Sequence, residues 1–137
     1  MNKKRVIVAD DDDDDRMLVQ SAFQENRIDL QVHFALDGTD LMEILNKDSI
    51  EKPIFILLDL NMPKKNGKEV LKEIKEDPAL KKIPVIIFTT AKNESEIRKC
   101  YELGANTYIV KPDTQAELRK VIANLSAYWL DTATTAE

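Results

Sequence analysis

The chain has 137 residues, with 20 Lys and Arg against 25 Asp and Glu, one His and one Cys, and is 43% apolar and 33% charged. Ordinary single domains run to roughly 100–200 residues, so one domain is expected, without room for a second catalytic or DNA-binding unit. A net charge of −5 argues against nucleic acid, which demands clustered Lys and Arg to neutralise phosphates.

The longest apolar run, Ile54 to Leu58, falls far short of the roughly 20 residues that cross a bilayer. Met1-Asn2-Lys3-Lys4-Arg5 has basic residues but no apolar stretch behind them, so no secretory signal is read there. The single Cys100 excludes an intrachain disulfide and suits a reducing compartment. A cytoplasmic location and no membrane partner are the expectations.

The first element is Val6-Ile7-Val8-Ala9, short and β-branched, hence a strand. Six aspartates follow, Asp10 to Asp15, opening a helix. Carboxylates at a helix N-terminus satisfy its free N–H groups and favour its dipole, and this accounts for Asp12 to Asp15. The run lacks the alternate spacing and central Gly of a calcium loop. Gln31-Val32-His33-Phe34-Ala35 alternates polar and apolar and reads as an edge strand, with His33 a surface residue.

Leu41, Ile44 and Leu45 mark a short helix, and Ile54 to Leu58 the third strand. Beyond Gly67, Val70, Leu71 and Ile74 share a helical face, and Asp77-Pro78 ends it because Pro disfavours helical geometry in the preceding residue. Val85-Ile86-Ile87-Phe88 is a strand, Ile97, Cys100 and Tyr101 lie on a helix, and Tyr108-Ile109-Val110 is the fifth strand. Leu118, Val121, Ile122, Leu125 and Trp129 make one apolar stripe on the last helix.

Continuous apolar strands are buried on both faces, as in a parallel sheet covered by helices. Five β-α alternations therefore predict an α/β, doubly wound, five-stranded parallel sheet. One domain is expected over 4–130, and the polar segment 131–137 is expected to be a disordered tail. Cys100 reads as a small core residue, Trp129 as core or dimer interface, and Lys64-Lys65 as loop charges.

In such a sheet ligands bind beyond the carboxyl ends of the strands, where strand order reverses. There the sequence places Asp10 and Asp11, then Asp59, then Thr89 and Thr90, then Lys111-Pro112. Crowded carboxylates stay ionised only with a cation among them, and oxygen ligands with open positions suit Mg²⁺. A phosphoryl group on one carboxylate would be bridged by the metal and by Lys111, the arrangement phosphoryl transfer requires.

Four pieces in order, VIVADD (6–11), LLDLNMPKKNG (57–67), IFTT (87–90) and YIVKP (108–112), each at a strand end, carry a resemblance. The chain resembles the receiver domain of two-component response regulators. The stretch LDLNMPKKNGKEVLKEIKEDPALKKIPVIIFTTAKNE is similar to the stand-alone subgroup serving bacteriophytochrome-type histidine kinases.

The resemblance implies a flavodoxin-like fold with strand order 2-1-3-4-5. It implies that Asp59 accepts phosphate from a kinase phosphohistidine. Mg²⁺ would be held by Asp11 directly, by Asp10 partly through water, by Asp59 and by the carbonyl of Asn61. Lys111 would pair with the phosphoryl oxygens, Thr89 would hydrogen-bond the acyl phosphate, and the Thr90 main-chain N–H would assist. A cis bond is implied at Lys111-Pro112. Movement of Thr89 would open space for Tyr108 to swing inward and reshape the surface of the fourth helix, the fifth strand and the last helix.

Several positions depart from the family pattern. Asn66 replaces an acidic residue before Gly67, and Thr90 is bulkier than the usual Ala or Ser and is expected to narrow the path of Tyr108. Ala91 offers no polar group to the hydrolytic water, leaving Asn61 to govern phosphate lifetime. Asp113-Thr114 stands where an apolar residue is common, and the sequence offers no account of it.

The expected protein is not an enzyme on other substrates. It is a phospho-accepting switch that catalyses only its own phosphotransfer and dephosphorylation, with a histidine kinase as partner. The apolar run Tyr128-Trp129-Leu130 leans toward a homodimer. A phosphatase of the haloacid dehalogenase type would need a second Asp as general acid, but Asp59-Leu60-Asn61 offers Asn. The alternative is a receiver-like interaction module that works without phosphorylation.

Overall fold

The computed structural model describes residues 4–47 and 51–136. The expectations on the Met1-Asn2-Lys3 segment and on Glu137 lie outside the described residues. Five parallel strands, β1 (Lys4–Ala9), β2 (Leu30–Ala35), β3 (Phe55–Leu58), β4 (Val85–Thr89) and β5 (Thr107–Val110), form one sheet in the order β2-β1-β3-β4-β5. The doubly wound, flavodoxin-like expectation matches this order, and β2 is an edge strand, as its alternation predicted, with β5 at the other edge.

Between the strands run α1 (Asp13–Glu25), α2 (Gly38–Leu45), α3 (Gly67–Glu76), α4 (Glu94–Glu102) and α5 (Gln115–Ser126). Alternate residues of each central strand face opposite layers, because the side-chain period of a strand is two. Ile7, Ile56 and Ile87 pack in one core with Leu41 of α2, Leu71 of α3 and Cys100 of α4. Val8, Leu57 and Ile86 pack in the other with Phe23 of α1 and Ile122 of α5. Truncating one of these buried aliphatic side chains to Ala is expected to cost about 2–5 kcal/mol, transfer and cavity terms together.

Side chains cap the starts of α1, α3 and α5. Asp12 caps α1 by accepting from the Asp15 N–H, and Asp13 to Asp15 fill the acidic first turn. Asn66 caps α3 in a reciprocal box with Glu69, so the departure from an acidic residue there has a structural use. Thr114 caps α5 by accepting from the Glu117 N–H, which accounts for a polar residue after Pro112. The α5 helix passes into a wider π-type turn, Ala127–Thr132, that includes Asp131 and Thr132. Trp129 packs against the second core while Tyr128 is half exposed.

Among the described residues no helix is long and apolar enough to cross a membrane. Half-buried His33 sits on the edge strand with Nδ1 2.5 Å from an Arg5 guanidinium nitrogen. Burial, then the Arg5 charge, lowers its pKa. Cys100 is fully buried, and burial pushes its thiol up, away from reactivity.

Candidate functional site

The reversal of strand order at β1, whose neighbours are β2 on one side and β3 on the other, opens a crevice at the carboxyl ends of β1 and β3. Asp10 follows β1 directly and is 2% exposed; Asp59 follows β3 and is 7% exposed. The sheet itself holds both backbones, since the Asp10 N–H donates to Ala35 O at 3.1 Å and the Asp59 N–H to Ala9 O at 3.0 Å. Their inner carboxylate oxygens are further fixed by main-chain donors, Asp12 N–H to Asp10 Oδ1 at 2.9 Å and Asn61 N–H to Asp59 Oδ1 at 3.1 Å.

The loop after Asp59 is tight against α3. Gly67 N–H donates to Leu60 O at 3.0 Å, and a Cβ at Gly67 would lie 2.3 Å from Asp59 O and 2.6 Å from Leu60 Cα. Only a residue without a side chain permits that approach, so the start of α3 and the position of Asp59 are coupled.

Lys111 enters from the end of β5. Its N–H donates to Thr89 O at 2.8 Å, and its Nζ meets Asp10 Oδ2 at 2.8 Å, Asp59 Oδ2 at 2.9 Å and Asp15 Oδ2 at 2.8 Å. The resemblance implied a cis Lys111-Pro112 bond; that bond is trans, as no cis peptide is present among the described residues. With the backbone already tied to Thr89 and the ammonium tied to three carboxylates, the trans chain reaches the crevice.

The charges are coupled. Burial raises the pKa of Asp10, against hydrogen bonds from Lys111 and Asp12 that lower it. Burial alone would lower that of Lys111, but its bonds to Asp10, Asp15 and Asp59 overcome this and drive it upward. Lys111 is therefore a fixed positive charge at any ordinary pH, set beside more negative charge than it neutralises.

That imbalance bears on a cation. Carboxylate oxygens of Asp10, Asp15 and Asp59 all lie within 4.8 Å of one another, and hard oxygen donors at such spacing fit a divalent ion. Two of the expected side-chain ligands, Asp10 and Asp59, are in this group; Asp11 is exposed and stands outside it. Asp15, read from sequence only as a helix-start charge, joins it.

Thr89 is fully buried and its hydroxyl has no hydrogen-bond partner among the described residues. An unpaired buried hydroxyl costs roughly 1–3 kcal/mol, so this one favours a ligand that brings an acceptor. Thr90 is exposed and lines, with Asp15, Lys111 and Pro112, a cavity of about 140 Å³ between α1 and α5. Tyr108 is partly buried against the first core; its phenol donates to Ala91 O at 2.8 Å and its N–H donates to the Tyr101 phenol at 3.0 Å.

Residues 6–123 match the response regulator receiver domain family. Response regulator Rcp1 of Synechocystis sp. is 40% identical over 121 residues, which cover 85% of this chain and 82% of that protein. The phosphorylated cyanobacterial phytochrome response regulator RcpA superposes with a TM-score of 0.91 at 36% identity, over 99% of this chain and 100% of that one. The Mn²⁺-bound form of Rcp1 gives a TM-score of 0.88 at 37% identity, over 98% and 99%. On sequence and fold together, the chain belongs to the response regulator receiver domain family.

Proposed function

We propose that this chain is a two-component signalling protein that accepts a phosphoryl group on Asp59 from the phosphohistidine of a sensor histidine kinase. The observation that carries the reading is Lys111 shared between the buried Asp10 and Asp59, beside a buried Thr89 hydroxyl that lacks a partner. Asp10, Asp11, Asp59 and the Asn61 carbonyl are the proposed holders of Mg²⁺. When bound, the ion neutralises charge on the transferring phosphoryl oxygens.

An Asp59 carboxylate oxygen attacks phosphorus and the bond to the imidazole nitrogen breaks. The electron pair leaves on the histidine, and the site supplies position and charge rather than covalent chemistry. Lys111 then exchanges its Asp59 contact for a phosphoryl oxygen. The Thr89 hydroxyl and the Thr90 main-chain N–H donate to others. Asn61, directly after the Asp59 loop turns, orders the water that later hydrolyses the acyl phosphate.

The signal leaves through Thr89 and Tyr108. Drawing Thr89 toward phosphate pulls the segment to which Tyr108 is hydrogen-bonded, changing the surface of α4, β5 and α5. Similarity to phytochrome response regulators supports a phytochrome-type kinase as partner, and the acidic charge opposes nucleic acid. Half-exposed Tyr128 is the apolar surface offered to a homodimer. The cytoplasm is the compartment where such a kinase would meet it.

Intact mass after incubation with Mg²⁺ and a small phosphodonor tests the reading. One phosphoryl group on the wild type and none on Asp59→Asn supports it. No adduct with several donors would leave a binding module that works without phosphorylation.

A further inference from the structure

We propose that Asp15 is a positioning residue for phosphoryl transfer, holding the Lys111 ammonium over Asp59 from the first turn of α1. This rests on the phosphoacceptor reading and adds to it a residue whose carboxylate meets Lys111 at the site.

An ammonium has three N–H donors, and Lys111 spends them on Asp10, Asp15 and Asp59 at 2.8, 2.8 and 2.9 Å. Two of these acceptors are committed elsewhere once the site is used. Asp59 would carry the phosphoryl group as an acyl phosphate, and Asp10 would hold the cation. Asp15 stands beside the same carboxylates but is not among the proposed Mg²⁺ holders, and its backbone placement does not depend on either ligand. Its N–H donates to the Asp12 cap at 3.0 Å, so the helix start fixes its backbone before any metal or phosphate arrives.

The side of approach matters as well. The side chains of Asp10 and Asp59 are 3% and 9% exposed, whereas that of Asp15 is 38% exposed. Asp15 therefore closes the solvent side of Lys111, where the flexible four-carbon stem would otherwise swing out into the cavity that both residues line. The fully buried, unpartnered Thr89 hydroxyl belongs to the strand that accepts the Lys111 N–H. Two donors are thus held ready for an oxygen-rich ligand, one by burial and one by Asp15.

A double-mutant cycle with a second, activity-independent readout tests this. Asp15→Asn is expected to slow phosphate uptake from a small phosphodonor about tenfold, a loss typical of a loosened positioning group. In a Lys111→Ala background the same change is expected to do nothing further, because Asp15 acts through Lys111. In the protein without phosphodonor, proton exchange of the Lys111 ammonium, read by ¹⁵N NMR, is expected to accelerate in Asp15→Asn. Mg²⁺ affinity by calorimetry is expected to hold within about threefold. Asp15→Ser run beside it guards against a folding defect peculiar to one variant.

Additive effects in the cycle, or unchanged ammonium exchange, would overturn the proposal. So would a large loss of Mg²⁺ affinity, which would make Asp15 a metal ligand instead. If the wild type takes phosphate and Asp15→Asn takes it equally fast, only the role of Asp15 falls. If the wild type takes none, the phosphoacceptor reading falls and this role with it.

Discussion

The phenol of Tyr108 donates a 2.8 Å hydrogen bond to the carbonyl oxygen of Ala91, in the loop that continues β4 past Thr89. The Tyr108 N–H is held at 3.0 Å by the Tyr101 phenol on α4. One residue of β5 is therefore tied both to the segment carrying the proposed phosphate donor and to the neighbouring helix. Tyr108→Phe removes the first tie at a cost of about 1 kcal/mol, the usual net value of one hydrogen bond. Faster amide exchange across 90–93 is the expected result, while exchange in β1 and β3 stays as it was. Unchanged exchange in that loop would show that the bond holds nothing.

Gly67→Ala tests the coupling of α3 to Asp59. The added Cβ meets main-chain atoms of Asp59 and Leu60, which cannot rotate away as a side-chain tip could. The expected loss is about 1–3 kcal/mol in urea unfolding, with slower phosphate uptake because the carboxylate is pushed off the Asn61 N–H. An unperturbed stability would mean that the loop yields freely.

Stability should carry the mark of the crowded charges. Asp10 binds its proton more tightly when folded, since burial outweighs the hydrogen bonds it accepts. That contribution is complete below the ordinary carboxylate value of 3.8 and is lost as pH rises through the raised value. Lys111 is also raised, so its contribution is complete below 10.5 and is lost only in strongly alkaline solution. Near neutrality, without divalent metal, the Asp10 charge is a cost. Asp10→Asn is expected to raise the melting temperature in chelator at pH 7 by about 3 °C or more, and the gain should shrink toward pH 4. A gain that does not vary with pH, or a loss, would contradict this.

Ala91 carries no polar side chain, and on the proposed reading its position borders the water that hydrolyses the acyl phosphate. Only its carbonyl is engaged, by Tyr108, so a new side chain there leaves that bond in place. Ala91→Glu is expected to shorten the phosphate half-life about tenfold, less than the 10²–10⁴ of a fully positioned general base. An unchanged half-life would show that the missing polar group at position 91 does not govern phosphate lifetime.

Local pattern made much of this architecture legible. The runs in β1, β3 and β4 are apolar at every position because both faces of the sheet are covered, and β2 alternates at an edge. Asp10, Asp59, Thr89 and Lys111 could be picked out because strand ends converge in a parallel sheet. The contact of Asp15 with Lys111 is hidden from local pattern, since the two are 96 residues apart in sequence. Within the run of aspartates, composition could not separate Asp11, which is exposed, from Asp15, which reaches the crevice. Thr114 and Asn66 were visible as departures from a family pattern, but their use as caps emerged only with the helix starts in place.

The most direct test of the central claim locates the phosphate chemically. Borohydride reduces an aspartyl phosphate to homoserine and leaves free aspartate intact, so peptide mapping after phosphodonor and Mg²⁺ treatment reads the acceptor residue itself. Homoserine at position 59 alone, absent when Mg²⁺ is chelated, is the predicted result. Homoserine at position 10, 11 or 15, or at none, would contradict the assignment of Asp59 as the phosphoacceptor.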